Sequence, residues 1–187
     1  MAEIASVEAH PLTDSQRSYP MPTIALVNGH CFGAGVFAAF AHDYRIQNPS
    51  KGFICLPEID LGVVIPLAMT QMLKQKISSP AVYRAMALEG RRVGGSTALE
   101  WGVVDGLGGL PEVLAFADKW KLVEKAKTGV WGQLKEGMFR ETLQLLSPGG
   151  PLEISRWQED VDQQREDDSV KAKARVDEFL SSSRSKL

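Results

Sequence analysis

Thr23–Gly62, TIALVNGHCFGAGVFAAFAHDYRIQNPSKGFICLPEIDLG, is the stretch whose reading decides the fold. It opens on Thr23-Ile24-Ala25-Leu26-Val27, a β-branched and aliphatic run with nothing polar before Asn28-Gly29, which predicts a buried strand. Gly29, Gly33 and Gly35 then form a glycine-rich turn, and Val36-Phe37-Ala38-Ala39-Phe40-Ala41 has the small, apolar composition of a packed helix. A strand, a glycine turn and a helix in that order leave the first backbone N–H groups of the helix without intrahelical partners, at the positive end of its dipole. Such a junction suits an anion, either a phosphate or an oxyanion formed during a reaction.

Outward from that helix, Asp43-Tyr44-Arg45-Ile46-Gln47 predicts a second strand, Asn48-Pro49-Ser50-Lys51-Gly52 a turn, and Phe53-Ile54-Cys55-Leu56 a third short strand. Pro57-Glu58-Ile59-Asp60-Leu61-Gly62 is expected to break regular structure. Leu67, Met69, Met72 and Leu73 lie on one helical face of residues 67–76, which close on Lys74 and Lys76. Ser79-Pro80 reads as N-cap and first helical residue for a helix over 81–89. A turn at 94–97, a short helix over 98–101 and a brief strand over 103–105 precede the glycines at 106, 108 and 109. From Pro111 the pattern is helical: residues 112–127, 131–146 and a long charged helix over about 152–180, in which Val161, Val170, Val176, Phe179 and Leu180 are isolated apolar points. Upstream, residues 1–20 show no periodicity and read as an arm.

Composition narrows the function classes. The chain has 187 residues, 44% of them hydrophobic, with 21 basic and 23 acidic side chains and a formal charge of −2. That balance offers no field for nucleic acid or an anionic membrane. No apolar run approaches the roughly 18 residues of a membrane span. Cys31 and Cys55 lack framework spacing and fit buried thiols in a reducing compartment. The last three residues, Ser185-Lys186-Leu187, form the tripeptide read by the peroxisomal import receptor and predict a peroxisomal location.

Several residues could carry chemistry. Glu58 follows an apolar strand and stands between Pro57 and Ile59; desolvation there would raise its pKa and suit it to move a proton near neutral pH, although a Glu in a Pro-Glu turn also serves as a solvated or capping group. Gly33-Ala34-Gly35-Val36-Phe37-Ala38 fits G-x-G-x-x-A, but the first glycine does not directly end the strand and no acidic residue ends a second strand at the expected distance, which weakens the dinucleotide reading. His30 has no metal-ligand spacing around it and reads as structural. Lys171, Lys173 and Arg175 form a small basic cluster that fits a solvated helix face.

Pro22-Thr23-Ile24-Ala25-Leu26-Val27-Asn28-Gly29, Gly33-Ala34-Gly35, Asp43-Tyr44-Arg45-Ile46 and Pro57-Glu58-Ile59-Asp60-Leu61-Gly62 together resemble the crotonase (enoyl-CoA hydratase/isomerase) superfamily in motif and spacing. Ala98 to Asp105 looks like a further segment of that family, so the resemblance covers about residues 20–110. It implies an α/β fold: a partial crotonase-like (ClpP/crotonase) sheet core over 21–110, N-terminally shortened, behind an arm over 1–20 and before a helical C-terminal region over 111–187. It further implies an acyl-CoA thioester substrate, no metal or redox cofactor, and a homo-oligomer, trimer or hexamer.

In such enzymes an enolate is held by two backbone N–H groups, one of which falls on Ala34. Glu58 matches the Pro-Glu base, while Phe37 occupies the place of the hydratases' other glutamate. Gly33, Phe37, Pro57, Leu61 and Gly62 fall on the substrate-binding positions. Adding water needs one group to orient it and another to move the proton, whereas a shift of a double bond needs one base. The resemblance is therefore to the 3,2-enoyl-CoA isomerases, including peroxisomal ones, with the β-oxidation of fatty acids as the setting. Family members carry a strand-rich segment ahead of this point that supplies the other N–H and much of the CoA pocket, and residues 1–20 are expected to be too short to replace it. A non-catalytic crotonase-like subunit or truncated acyl-CoA-binding relative, and then a hydratase, are the alternative readings.

Overall fold

The computed structural model describes residues 19–146 and 162–176. These divide between two compact units, one within Met1–Ser147 and one within Pro148–Leu187. In the first, β1 (Ile24–Val27) and β2 (Cys31–Phe32) lead into α1 (Ala34–Ala41), and β3 (Tyr44–Gln47) and β4 (Ile54–Cys55) lead into α2 (Glu58–Leu61) and α3 (Leu67–Lys76). Each pass contributes one strand to each of two sheets. β1 pairs in parallel with β3, Ile24 opposite Tyr44 and Val27 opposite Gln47, and β2 pairs in parallel with β4, Cys31 opposite Ile54 and Phe32 opposite Cys55. Parallel neighbours require a crossover, and α1 supplies it. The two passes touch at their turns: a Cβ on Gly52, whose φ is 73°, would lie 2.2 Å from the carbonyl carbon of Gly29, so only glycine fits there.

α4 (Pro80–Ala87) is capped by Ser79, whose hydroxyl accepts from Val82 N at 3.4 Å. After α5 (Gly95–Glu100), β5 (Gly106–Leu107) adds to the far side of β3 and completes the order β1-β3-β5. Four helices follow: α6 (Leu110–Lys119), α7 (Leu122–Ala126), α8 (Trp131–Met138) and α9 (Arg140–Leu146), with α9 packed on α3. Val36 and Phe40 of α1, Met72 and Leu73 of α3, Met86 of α4 and Ile54 and Leu56 around β4 are fully buried and make one core. In the second unit, residues 162–176 form a helix whose side chains are all exposed, Val170 and Val176 among them. Lys171 pairs at 3.8 Å with Asp168 one turn back, and the ends of the expected 152–180 helix lie outside the described residues.

The α/β class and the helical C-terminal region are as expected, and several elements differ. β1 is not a buried strand: it is an edge strand among the described residues, only Val27 is buried, and Leu26 is exposed. Cys31-Phe32, read as part of the turn, is a strand because the second sheet pairs it with β4. Pro57–Gly62 is not irregular, since Glu58–Leu61 make one helical turn closed by Gly62 in the left-handed region. The strand expected at 103–105 lies at 106–107, because Val103 and Val104 are taken into the core. The helix expected over 112–127 breaks at Trp120 and Lys121, the latter with φ of 51°, and the one over 131–146 breaks at Phe139.

Candidate active site

The N-terminus of α1 and the first residue of α2 meet at Gly33. This residue N-caps α1 with φ of 51° and ψ of −117°, and its own N–H donates to Cys55 O at 3.1 Å. A Cβ at Gly33 would come within 3.3 Å of Glu58 Oε1, so both the backbone angle and the approach of the carboxylate call for glycine. The carbonyl of Gly33 accepts from Val36 N at 2.9 Å and Phe37 N at 3.4 Å. Ala34 and Gly35, the first two residues of the helix, direct their N–H groups to no acceptor among the described residues. A helix end of this kind presents positive potential to whatever lies before it.

Glu58 is 8% exposed, and its Oε2 is buried with no hydrogen-bond partner among the described residues. Burial pushes its pKa above the usual glutamate range, against a smaller opposing effect of its own backbone N–H. A carboxyl in this state has the chemistry to take up and release a proton. The turn that carries it is fixed by Asp60 N and Leu61 N donating to Pro57 O and by Val63 N donating to Glu58 O at 2.9 Å. Phe37, one turn along α1 from Ala34, packs partly buried against the core. Leu61 is 68% exposed, and with Ile59 and Val63 it forms an open apolar rim.

The geometry therefore brings Gly33, Ala34 and Glu58 together, puts Phe37 and Pro57 at their flanks, and leaves Leu61 and Gly62 at the far end of α2. Ser185, Lys186 and Leu187 lie outside the described residues. His30 sits against Phe32 and Phe53, with ring centroids 5.2 and 5.8 Å away. Burial raises the Cys31 thiol to about 11, and it raises Cys55 as well, whose Sγ donates to Gly90 O at 3.4 Å. Both thiols are thus held protonated. Among the described residues, no group of three or more His, Cys, Asp or Glu could hold a metal ion, and no helix is long and apolar enough to cross a membrane.

Two features of this region were not read from the sequence. One is the Gly35 N–H, which meets no acceptor among the described residues. The other is a groove of about 390 Å³ that runs along β1 and one side of α1, lined by Ala25, Val27, Cys31, Gly35, Ala38 and neighbouring residues but not by Glu58. The glycines at 33 and 35 mark the turn into the helix, but only the hydrogen bonds of Gly33 O tell which N–H groups stay open.

A family model described as Enoyl-CoA hydratase/isomerase matches residues 2–166. The chain belongs to the enoyl-CoA hydratase/isomerase family. Within that family it is 34% identical over 130 residues to enoyl-CoA delta isomerase 1, peroxisomal, of Arabidopsis thaliana, covering 67% of this chain and 54% of that one. It is 29% identical over 133 residues to enoyl-CoA delta isomerase 2, peroxisomal, of the same plant, covering 71% and 55%. The chain thus spans about half the length of these relatives. An enoyl-CoA hydratase crystal structure from Mycobacterium marinum superposes with a TM-score of 0.62 at 26% identity, covering 74% of this chain and 61% of that one.

Proposed function

We propose that this chain isomerises 3-enoyl-CoA thioesters to trans-2-enoyl-CoA, with Glu58 as the single base. The observation that carries this reading is the buried Glu58 carboxyl, its Oε2 without a hydrogen-bond partner among the described residues and its Oε1 against Gly33 at the N-terminus of α1, with Phe37 and not a second carboxylate one turn along the helix. Glu58 takes a proton from C2, the electron pair moves onto the thioester oxygen, and the resulting dienolate is stabilised by the Ala34 N–H. The protonated Glu58 then delivers the same proton to C4, the carbonyl re-forms, and the double bond lies between C2 and C3. No water is consumed and no redox change occurs.

The similarity to the two Arabidopsis isomerases supports this assignment, and the terminal Ser185-Lys186-Leu187 supports a peroxisomal setting for fatty-acid β-oxidation. Water addition would need a second polar group to orient the nucleophile, and Phe37 offers none. The test is the partition between two substrates. The purified chain is expected to convert 3-enoyl-CoA to trans-2-enoyl-CoA while hydrating trans-2-enoyl-CoA at least ~10²-fold more slowly, the smaller end of what one acid–base group supplies. Hydration as fast as isomerisation would refute the single-base reading. Binding of acyl-CoA with neither reaction would instead favour a non-catalytic subunit.

A further inference from the structure

We infer that the break between α6 and α7 is a docking surface for an anionic lipid membrane. The proposal is independent of the chemistry at Glu58. Averaged over the chain the charge is slightly negative, but residues 119–127, KWKLVEKAK, set four lysines against one glutamate. Lys119 closes α6, Lys121 N-caps α7, Lys125 lies in the last turn of α7 and Lys127 C-caps it. All four are exposed, and none forms an ion pair among the described residues. Lys121 has a φ of 51°, a left-handed conformation that glycine or asparagine adopts at less cost, so the turn carries a cation where a neutral residue would serve the fold better.

Apolar side chains stand within this charge. Trp120 is 47% exposed; its ring lies 6.3 Å from that of Phe116, which lies 5.1 Å from that of Tyr44 on β3, so a series of ring contacts holds the indole out from the sheet. Leu122 is buried and anchors α7, whereas Val123 beside it is 58% exposed. An indole and an aliphatic side chain among lysines match the boundary between headgroups and acyl chains: the apolar parts enter it, and the ammonium groups reach the anionic headgroups on their long stems. The Lys119 and Lys125 ammonium groups lie 5.6 and 5.9 Å from the centre of the Trp120 ring, which leaves that ring poorly placed to stack on a base. Val123 likewise gains from an acyl boundary and not from a phosphate backbone. A membrane surface therefore fits better than a nucleic acid.

The test is co-sedimentation of the chain of residues 1–187 with phosphatidylcholine vesicles that contain about 30% phosphatidylserine, and with vesicles of phosphatidylcholine alone. Binding to the anionic vesicles is expected, weakening as salt is raised, with little binding to the neutral ones. Lys121→Ala and Lys125→Ala should each lower the partition coefficient by about fivefold, and Trp120→Ala by about tenfold. Both lysines are exposed, so their variants keep the test open should Trp120→Ala fail to fold. Equal binding to both kinds of vesicle, or lysine variants that bind as the unaltered chain does, would overturn the proposal. No binding to the anionic vesicles would sink it too, and capture of a single-stranded oligonucleotide or a polyglutamate peptide, or self-association lost in Trp120→Ala, would then show what the surface takes instead.

Discussion

Glu58 shows how far a single residue can be read before its surroundings are known. Its neighbours in sequence are apolar, and desolvation of its carboxyl followed from that. That Oε2 finds no partner among the described residues, and that Oε1 lies against Gly33, 25 positions upstream, is not legible from those neighbours, because both depend on the fold. The sign of the consequence is definite. A carboxyl whose folded-state pKa is raised stabilises the fold most when protonated, and stability falls as pH rises from the unfolded-state pKa through the folded one. The ionised form that the proposed mechanism uses is therefore the less stable one. Glu58→Gln, which cannot ionise, should leave stability near neutral pH unchanged or slightly higher, so that any loss of rate is not a loss of fold.

At the scale of elements, the segments that carry the family resemblance away from the site hold the sheet together. Arg45 on β3 is 4% exposed; its Nε donates to Val103 O at 2.9 Å, and its guanidinium meets Asp105 Oδ2 at 3.1 Å, which also accepts from Arg45 N at 2.8 Å. Burial lowers the Arg45 pKa, and Asp105 acts against it. Asp43 similarly accepts from Thr23 N and Oγ1 and pairs with buried Lys135 of α8 at 3.1 Å, tying a late helix to the start of the sheet. Asp105→Asn keeps an acceptor but removes the charge, with Asp105 itself about a third exposed. It should lower the unfolding free energy by about 1–3 kcal/mol, read as a lower urea midpoint at unchanged slope. A midpoint equal to that of the unaltered chain would show that the pair contributes nothing.

The same scale shows what was legible and why. α3 falls on residues 67–76 as expected, because its apolar spacing and its terminal lysines both report the helix directly. β2 and β5 were missed or displaced, since strands of two residues are defined by their partners and not by any local pattern. β1 was misjudged because an unbroken apolar run does not say whether it lies at the centre or the edge of a sheet. The helix breaks near Lys121 and Phe139 occur at residues that carry no glycine or proline signal.

For the whole molecule, one unit of the chain holds both Glu58 and the open helix end, and the part of the chain that matches covers about half the length of its curated relatives. The proposed peroxisomal address belongs to this scale, because an import receptor of this kind reads a tripeptide at a C-terminus. A fluorescent protein fused ahead of residues 1–187 is expected to colocalise with peroxisomal markers and to become diffuse when Ser185-Lys186-Leu187 is removed. Diffuse fluorescence with the tripeptide present would refute the address.

The central claim is that one buried carboxyl moves the proton. It is tested most directly by the pH–rate profile of 3-enoyl-CoA isomerisation for the unaltered chain and for Glu58→Gln. The kcat/KM of the unaltered chain is expected to fall on the acid side through a pKa above the usual glutamate range, and Glu58→Gln to lose ~10²- to 10⁴-fold in rate together with that acid limb, while still binding acyl-CoA. A Glu58→Gln profile that overlays that of the unaltered chain would contradict it.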